Sequence, residues 1–171
     1  QEMDWLAYKS VNQKFANVIL EEVGNDKAFV FIQDYHFTLL PRMLKEKRPD
    51  LLVAQFWHIP WPNREAFRIC PWGQEILEGL LGNDLLGFHV QYHCNNFLDT
   101  IDRNLESKVD YSKFTATKGG KVTHVRPFPI SIDFDELSAQ AQSLEVENEM
   151  MRIKKELGLK NQIIGVGLDR V

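Results

Sequence analysis

Between Met3 and Val23 the residues Trp5, Tyr8, Phe15, Val18, Ile19 and Val23 fall at helical spacing, and Gly24-Asn25-Asp26 then supplies a stop. This predicts an amphipathic helix over 3–23. AFVFIQ (28–33) is a short continuous apolar run and predicts a strand covered on both faces, as in parallel sheets. From Phe37 to Lys47 helical spacing returns through Leu40, Met43 and Leu44, with Pro41 tolerable in a first turn. LLVAQFW (51–57) predicts the next buried strand, 72–81 a helix closed by Gly82-Asn83, DLLGFH (84–89) a strand, and 91–106 a helix.

The order α-β-α-β-α-β-α points to an α/β fold: a Rossmann-like open parallel sheet with flanking helices and right-handed crossovers. Beyond residue 109 the pattern changes. DYSKFTATKGGK (110–121) is polar with a turn at Gly119-Gly120, KVTHVRPFPI is strand-like but broken by Pro127 and Pro129, and 134–158 is charged and mostly helical. QIIGVGL (162–168) opens a further strand, so a boundary is expected near residue 131, dividing 1–130 from 131–171.

Ligands of open parallel sheets bind outside the carboxyl ends of the strands. That rule singles out QFWHIPWPNREAFR (55–68), where a strand delivers His58 to the binding edge and Pro60 and Pro62 fix the chain beyond it. Asp34 stands at the equivalent end of the preceding strand and His89 at that of the following one. A carboxylate there can accept from sugar hydroxyls, and an imidazole can donate to a hydroxyl or to developing charge. Each has a plainer alternative: Asp34 as the N-cap of the helix near Phe37, His58 as a histidine satisfied by a loop carbonyl. Arg170 meets the same positional test after QIIGVGL, where a guanidinium fork suits phosphate or simply pairs with Asp169. Trp57, Trp61 and Trp72 read as core before they read as a sugar-stacking wall, and His36 and His93 as surface or capping residues.

Composition narrows the classes. Twenty basic against 24 acidic residues give a net charge of −4 with no polybasic run, which argues against a nucleic-acid or membrane surface. No apolar stretch approaches the roughly 20 residues that span a bilayer. Cys70 and Cys94 match no metal spacing and read as free thiols of a cytoplasmic protein. No nucleotide-binding P-loop, serine-hydrolase elbow or metal cluster is present in the sequence, and both ends read as cut, so a fragment is expected.

Five blocks, QDYHFTLLP (33–41), HIPWPNREAFR (58–68), EILEGLLGNDLLGFH (75–89), FPISID (128–133) and GLDRV (167–171), together resemble one family closely: the trehalose-6-phosphate synthases, retaining glycosyltransferases of two Rossmann-like lobes in the GT-B arrangement. The resemblance implies transfer of glucose from UDP-glucose to glucose 6-phosphate, without cofactor or metal, by a cytoplasmic enzyme that acts on small molecules and can form homo-oligomers. Asp34 is similar to the family's acceptor-binding aspartate, His58 to the histidine over the donor glucose, and Arg170 to the arginine on the donor phosphates. The implied lobes are the second half of the acceptor lobe (1–130) and the linker with the start of the nucleotide-sugar lobe (131–171). The isolated fragment is expected to be inactive.

Trp61 and Asn63 stand where the family usually has phenylalanine and serine, and Ser131 where it often has glycine. Glucosylglycerol-phosphate synthase, with glycerol 3-phosphate as acceptor, therefore stays open as a relative, and a non-catalytic sugar-phosphate-binding domain stays open from another class.

Overall fold

The computed structural model describes residues 2–160 together with Gln162, Gly165 and Gly167. It divides into two compact units, Gln1–Ile130 and Ser131–Val171.

In the first unit, helix α1 (Glu2–Val23) leads into β1 (Phe29–Gln33), a 3₁₀ turn (Tyr35–Phe37), α2 (Leu40–Lys47) and β2 (Leu52–Trp57). A short α3 (Arg64–Phe67), α4 (Gly73–Leu80), β3 (Leu85–Phe88) and α5 (Gln91–Asn104) follow, then β4 (Lys108–Asp110), β5 (Thr115–Lys118) and β6 (Lys121–Pro127). The sheet runs β1-β2-β3-β6-β5-β4. The strands β1, β2, β3 and β6 are parallel, while β5 and β4 extend the sheet antiparallel from β6. The sheet is therefore mixed rather than wholly parallel. Gly119 and Gly120, at φ 57 and 78, make the tight turn that folds β5 back on β6, a backbone course open to glycine at little cost.

Alternation along the strands decides what they cover. Ile32 and Val53 pack with Ala16 of α1 and Leu40 and Leu44 of α2, while Trp57, Leu86, Phe88 and Val125 pack with Leu77 and Leu80 of α4 and Phe97, Leu98 and Ile101 of α5. The helices lie on that one face. On the opposite face Phe29, Phe31 and Leu52 are 65%, 57% and 60% exposed, so the expected cover on both faces is not met among the described residues. An apolar run records that a strand is suited to burial on both sides, not that both sides are covered.

Helix α1 also differs from its expected stripe. Its buried line is Trp5, Asn12 and Ala16, whereas Val18 is 63% exposed and Phe15 lies half out against the Phe37 ring. A polar residue has taken a central place on the inner face because the loop beside it needs hydrogen bonds. Farther along, Gly79 and Gly82 bring the end of α4 onto the backbone of residues 38–42, so closely that a Cβ on either would collide with it.

In the second unit, α6 (Phe134–Ala141) and α7 (Leu144–Glu156) make up the mostly helical stretch expected over 134–158. Each begins at a capping side chain: Asp133 accepts from the Glu136 N–H at 2.9 Å, and Ser143 from the Val146 N–H at 3.3 Å. The expected strand over 162–168 lies largely outside the described residues, and Arg170 lies wholly outside them.

Candidate functional site

Asp34 follows β1 directly, His58 follows β2 and His89 follows β3, and the parallel register sets the three strand ends side by side. The structure brings all three together. The His58 backbone N–H donates to Asp34 Oδ1 at 3.1 Å, and the His58 and His89 rings lie 5.8 Å apart at a steep angle. Phe56 supports both rings edge-on, at 4.8 Å from His58 and 4.9 Å from His89. His58 is exposed, Asp34 and His89 half-buried.

Asp34 occupies the N-cap position of the 3₁₀ turn, yet its side chain makes no capping hydrogen bond. The plainer reading of this residue therefore does not describe it. Its backbone sits at φ 60 and ψ −170, a region that residues with a Cβ rarely adopt. Such strain persists only where the surroundings impose it. Here the Asp34 N–H donates to the Phe56 carbonyl at 2.7 Å, and the Gln55 amide donates to the Asp34 carbonyl at 2.8 Å. The second carboxylate oxygen takes no hydrogen bond from the described residues and keeps its acceptor capacity.

The turn after Asp34 is held from α1. The Tyr8 hydroxyl donates to the Tyr35 carbonyl at 2.7 Å and accepts from the Thr38 N–H at 2.8 Å. Asn12, wholly buried, donates to the His36 carbonyl at 3.2 Å and accepts from the Leu39 N–H at 3.2 Å. A buried asparagine on a helix is tolerated when both ends of its amide are satisfied, and these two bonds satisfy it. Burial raises the Tyr8 phenol above its ordinary value, so it stays a protonated donor.

Two glutamines in apolar strands complete the site and were not anticipated from the sequence. Gln55, 1% exposed in the middle of β2, links the Asp34 carbonyl to Asn83, whose amide donates to Gln55 Oε1 at 2.9 Å. Gln33, the last residue of β1, places Oε1 2.7 Å from His58 Nε2. The available signal was a single polar residue in each apolar run, Gln55 inside one and Gln33 at the end of the other.

Other sequence candidates fall elsewhere. Trp61 is 1% exposed and its Nε1 donates to Thr100 Oγ1 at 3.2 Å, so it belongs to the core. Asn63 caps α3 by accepting from the Ala66 N–H at 2.9 Å, a task serine performs equally well. His36 is a surface residue whose ring lies tilted against that of Tyr35, whereas His93 has a buried Nδ1 without a partner among the described residues. A cavity of about 510 Å³ lies on the helix side of the sheet, walled by Trp5, Tyr8, Tyr35, Trp57 and Trp72; Asp34, His58 and His89 do not line it. Among the described residues no group of three or more His, Cys, Asp or Glu side chains could hold a metal, and no helix is long and apolar enough to cross a membrane.

Residues 1–171 match the family model described as Glycosyltransferase family 20. A trehalose-6-phosphate synthase of Mycobacterium sp. (strain KMS) is 38% identical over 98% of this chain, which spans 35% of that relative's length. An E. coli trehalose-6-phosphate structure bound with UDP-2-fluoro glucose is 28% identical with a TM-score of 0.78, over 92% of this chain and 34% of that one. The N-terminal domain of a Candida albicans trehalose-6-phosphate phosphatase is 27% identical with a TM-score of 0.76, over 88% of this chain and 32% of that one. The chain thus spans about a third of the length of the relatives it matches.

Proposed function

Because the chain belongs to glycosyltransferase family 20, we propose that it is the central part of an enzyme that transfers glucose from UDP-glucose to glucose 6-phosphate, giving trehalose 6-phosphate and UDP with the anomeric configuration retained. The observation that carries this reading is the convergence of Asp34, His58 and His89 on one sheet edge, with the Asp34 carboxylate fixed by the His58 N–H. Residues 1–130 then form the second half of the acceptor lobe, and 131–171 the linker and the start of the nucleotide-sugar lobe; the division after Ile130 supports that assignment.

The chemistry asks for positioning and charge. As the nucleotide departs, positive charge develops on the glucosyl carbon and negative charge on the phosphate. Asp34 orients the acceptor through its carboxylate, His58 holds the donor glucose, and His89 stands beside the His58 ring at the same sheet edge. Arg170 stabilises the leaving phosphate; that role rests on its place in GLDRV alone. No side chain need form a covalent bond to sugar. With two thirds of the relatives' length outside it, the 171-residue chain by itself should show no transfer. Its free thiols, Cys70 and Cys94, fit a cytoplasmic setting.

Steady-state turnover of the intact protein with UDP-glucose, offering glucose 6-phosphate and glycerol 3-phosphate side by side, tests the proposal. Preference for glucose 6-phosphate, lost in Asp34→Ala, supports it, whereas preference for glycerol 3-phosphate moves the acceptor and keeps the mechanism. A second reading, a non-catalytic sugar-phosphate-binding domain, draws on the likeness to the phosphatase N-terminal domain. Binding of glucose 6-phosphate without turnover on either acceptor would favour it.

A further inference from the structure

We infer that Gln33 is a positioning residue that fixes the tautomer and ring orientation of His58, leaving Nδ1 as the imidazole's acceptor toward a ligand hydroxyl. The consequence for catalysis rests on the proposed glucosyl transfer; the tautomer itself does not.

Gln33 pairs with Phe56 across the parallel register, so their side chains leave the same face of the sheet. Phe56 supports the His58 ring edge-on from below, the His89 ring stands 5.8 Å to one side, and Gln33 Oε1 meets Nε2 at 2.7 Å. Contacts from β1, β2 and the residue after β3 thus define where the ring lies. An amide oxygen is an acceptor only, so the nitrogen facing it carries the proton. In the neutral imidazole the other nitrogen, Nδ1, then presents a bare lone pair.

The choice of an amide matters. A carboxylate at this position would also hold the Nε2 proton, but it would favour the doubly protonated ring and remove the Nδ1 acceptor. Glutamine stays neutral at every working pH and fixes the tautomer without charging the ring. The other ionisable groups at His58 are Asp34, whose carboxylate is turned to the His58 backbone N–H, and His89. Gln33 itself is exposed, and its side-chain amide makes one hydrogen bond among the described residues, to His58.

Long-range ¹H–¹⁵N spectra of imidazole-labelled protein, recorded where His58 is neutral, read the tautomer directly. The native chain should show a protonated Nε2 and an unprotonated Nδ1 at His58. Gln33→Leu should give averaged values for both nitrogens, with the His58 backbone N–H signal unmoved because Asp34 still accepts from it. A native Nδ1–H tautomer, or identical ring signals in the variant, overturns the inference. Gln33→Glu serves as a second variant that keeps the hydrogen bond, and it should retain the Nε2 proton. In the intact protein Gln33→Leu should lower kcat about tenfold with KM for glucose 6-phosphate little changed. An unchanged kcat in an active enzyme removes the catalytic consequence. If the tautomer behaves as described while native intact protein transfers no glucose, the transferase reading has failed and the role of Gln33 at His58 has not.

Discussion

The backbone N–H of His58 donates to Asp34 Oδ1 across 3.1 Å, while Asp34 itself stands at φ 60 and ψ −170. One hydrogen bond therefore joins the ends of two neighbouring strands and sets the direction of a carboxylate whose own backbone is strained. Strain of this kind costs about 1–3 kcal/mol, and a hydrogen bond to a charged group contributes about 1.5–3 kcal/mol, so the two are of similar size.

That balance separates two substitutions. Asp34→Ala keeps a Cβ in the strained region and loses the hydrogen bond; Asp34→Gly loses the bond but relieves the strain. The glycine variant should be the more stable of the two by about 1 kcal/mol, after allowing for glycine's larger entropy loss on folding. Urea unfolding of both variants measures the difference. Equal midpoints, or a less stable glycine variant, would show that Asp34 bears no strain.

His58 is exposed at a strand end, so removing its ring takes little from the core. His58→Ala should change stability by less than about 0.5 kcal/mol, the usual range for a surface position. Turnover of the intact protein should fall at least about a hundredfold, as expected when a group acting at the reacting centre is lost. Parallel losses in thermal midpoint and in kcat would instead make His58 a structural residue.

Much of this site could be read from the chain because the rule that places ligands at strand ends depends only on where apolar runs stop. FVFIQ, LVAQFW and LLGF end within one residue of Asp34, His58 and His89, and parallel pairing does the rest. The supports were harder to see. Gln33, Gln55 and Asn12 act through amides, and an amide in an apolar pattern gives no hint of which backbone group it will meet. The β4–β5 extension was missed because TATK and KVD are short and polar, with too few apolar residues to show alternation. The two-sided burial expected for β1 failed for a different reason: Phe29 and Phe31 meet the sequence requirement for a covered face, but cover comes from elements that periodicity within one strand does not reveal.

Gln55 and Asn83 form a buried pair that reaches the Asp34 carbonyl, with bonds of 2.8 and 2.9 Å. Gln55→Leu leaves that carbonyl and part of the Asn83 amide without partners, and should cost about 1–3 kcal/mol. Because the residues share one hydrogen bond, Gln55→Leu with Asn83→Ala should cost less than the two single losses together, by about 1 kcal/mol. A double-mutant cycle in urea decides this; strict additivity would mean the two amides act independently.

Gly79 lies where α4 meets the residues that follow the Asp34 turn. A Cβ there would collide with the Thr38 carbonyl oxygen and crowd the Leu39 Cα, both main-chain atoms that cannot rotate aside. Alanine ordinarily favours a helix over glycine by about 1 kcal/mol, but overpacking of this kind costs about 1–3 kcal/mol or more, so Gly79→Ala should destabilise. Circular dichroism melts check the sign. Stabilisation would show that α4 can draw back from the turn without loss.

Cys94 gives a prediction whose sign depends on burial. Its side chain is wholly enclosed in the larger core, and desolvation pushes the thiol from its ordinary 9.0 up to about 11. Between those values the unfolded chain has released the proton while the folded chain still holds it. The unfolded state binds fewer protons there, so stability falls as pH rises through this window; below pH 9.0 the contribution is fully present. Cys94→Ala removes the group and should flatten that part of the profile, although the variant starts less stable because a buried sulfur has been lost. Urea midpoints of the native and variant chains at successive pH values across the window provide the comparison. Curves that stay parallel would mean that Cys94 ionises alike in both states, and then its enclosure between α5 and the sheet would have to be looser than its contacts with the core describe.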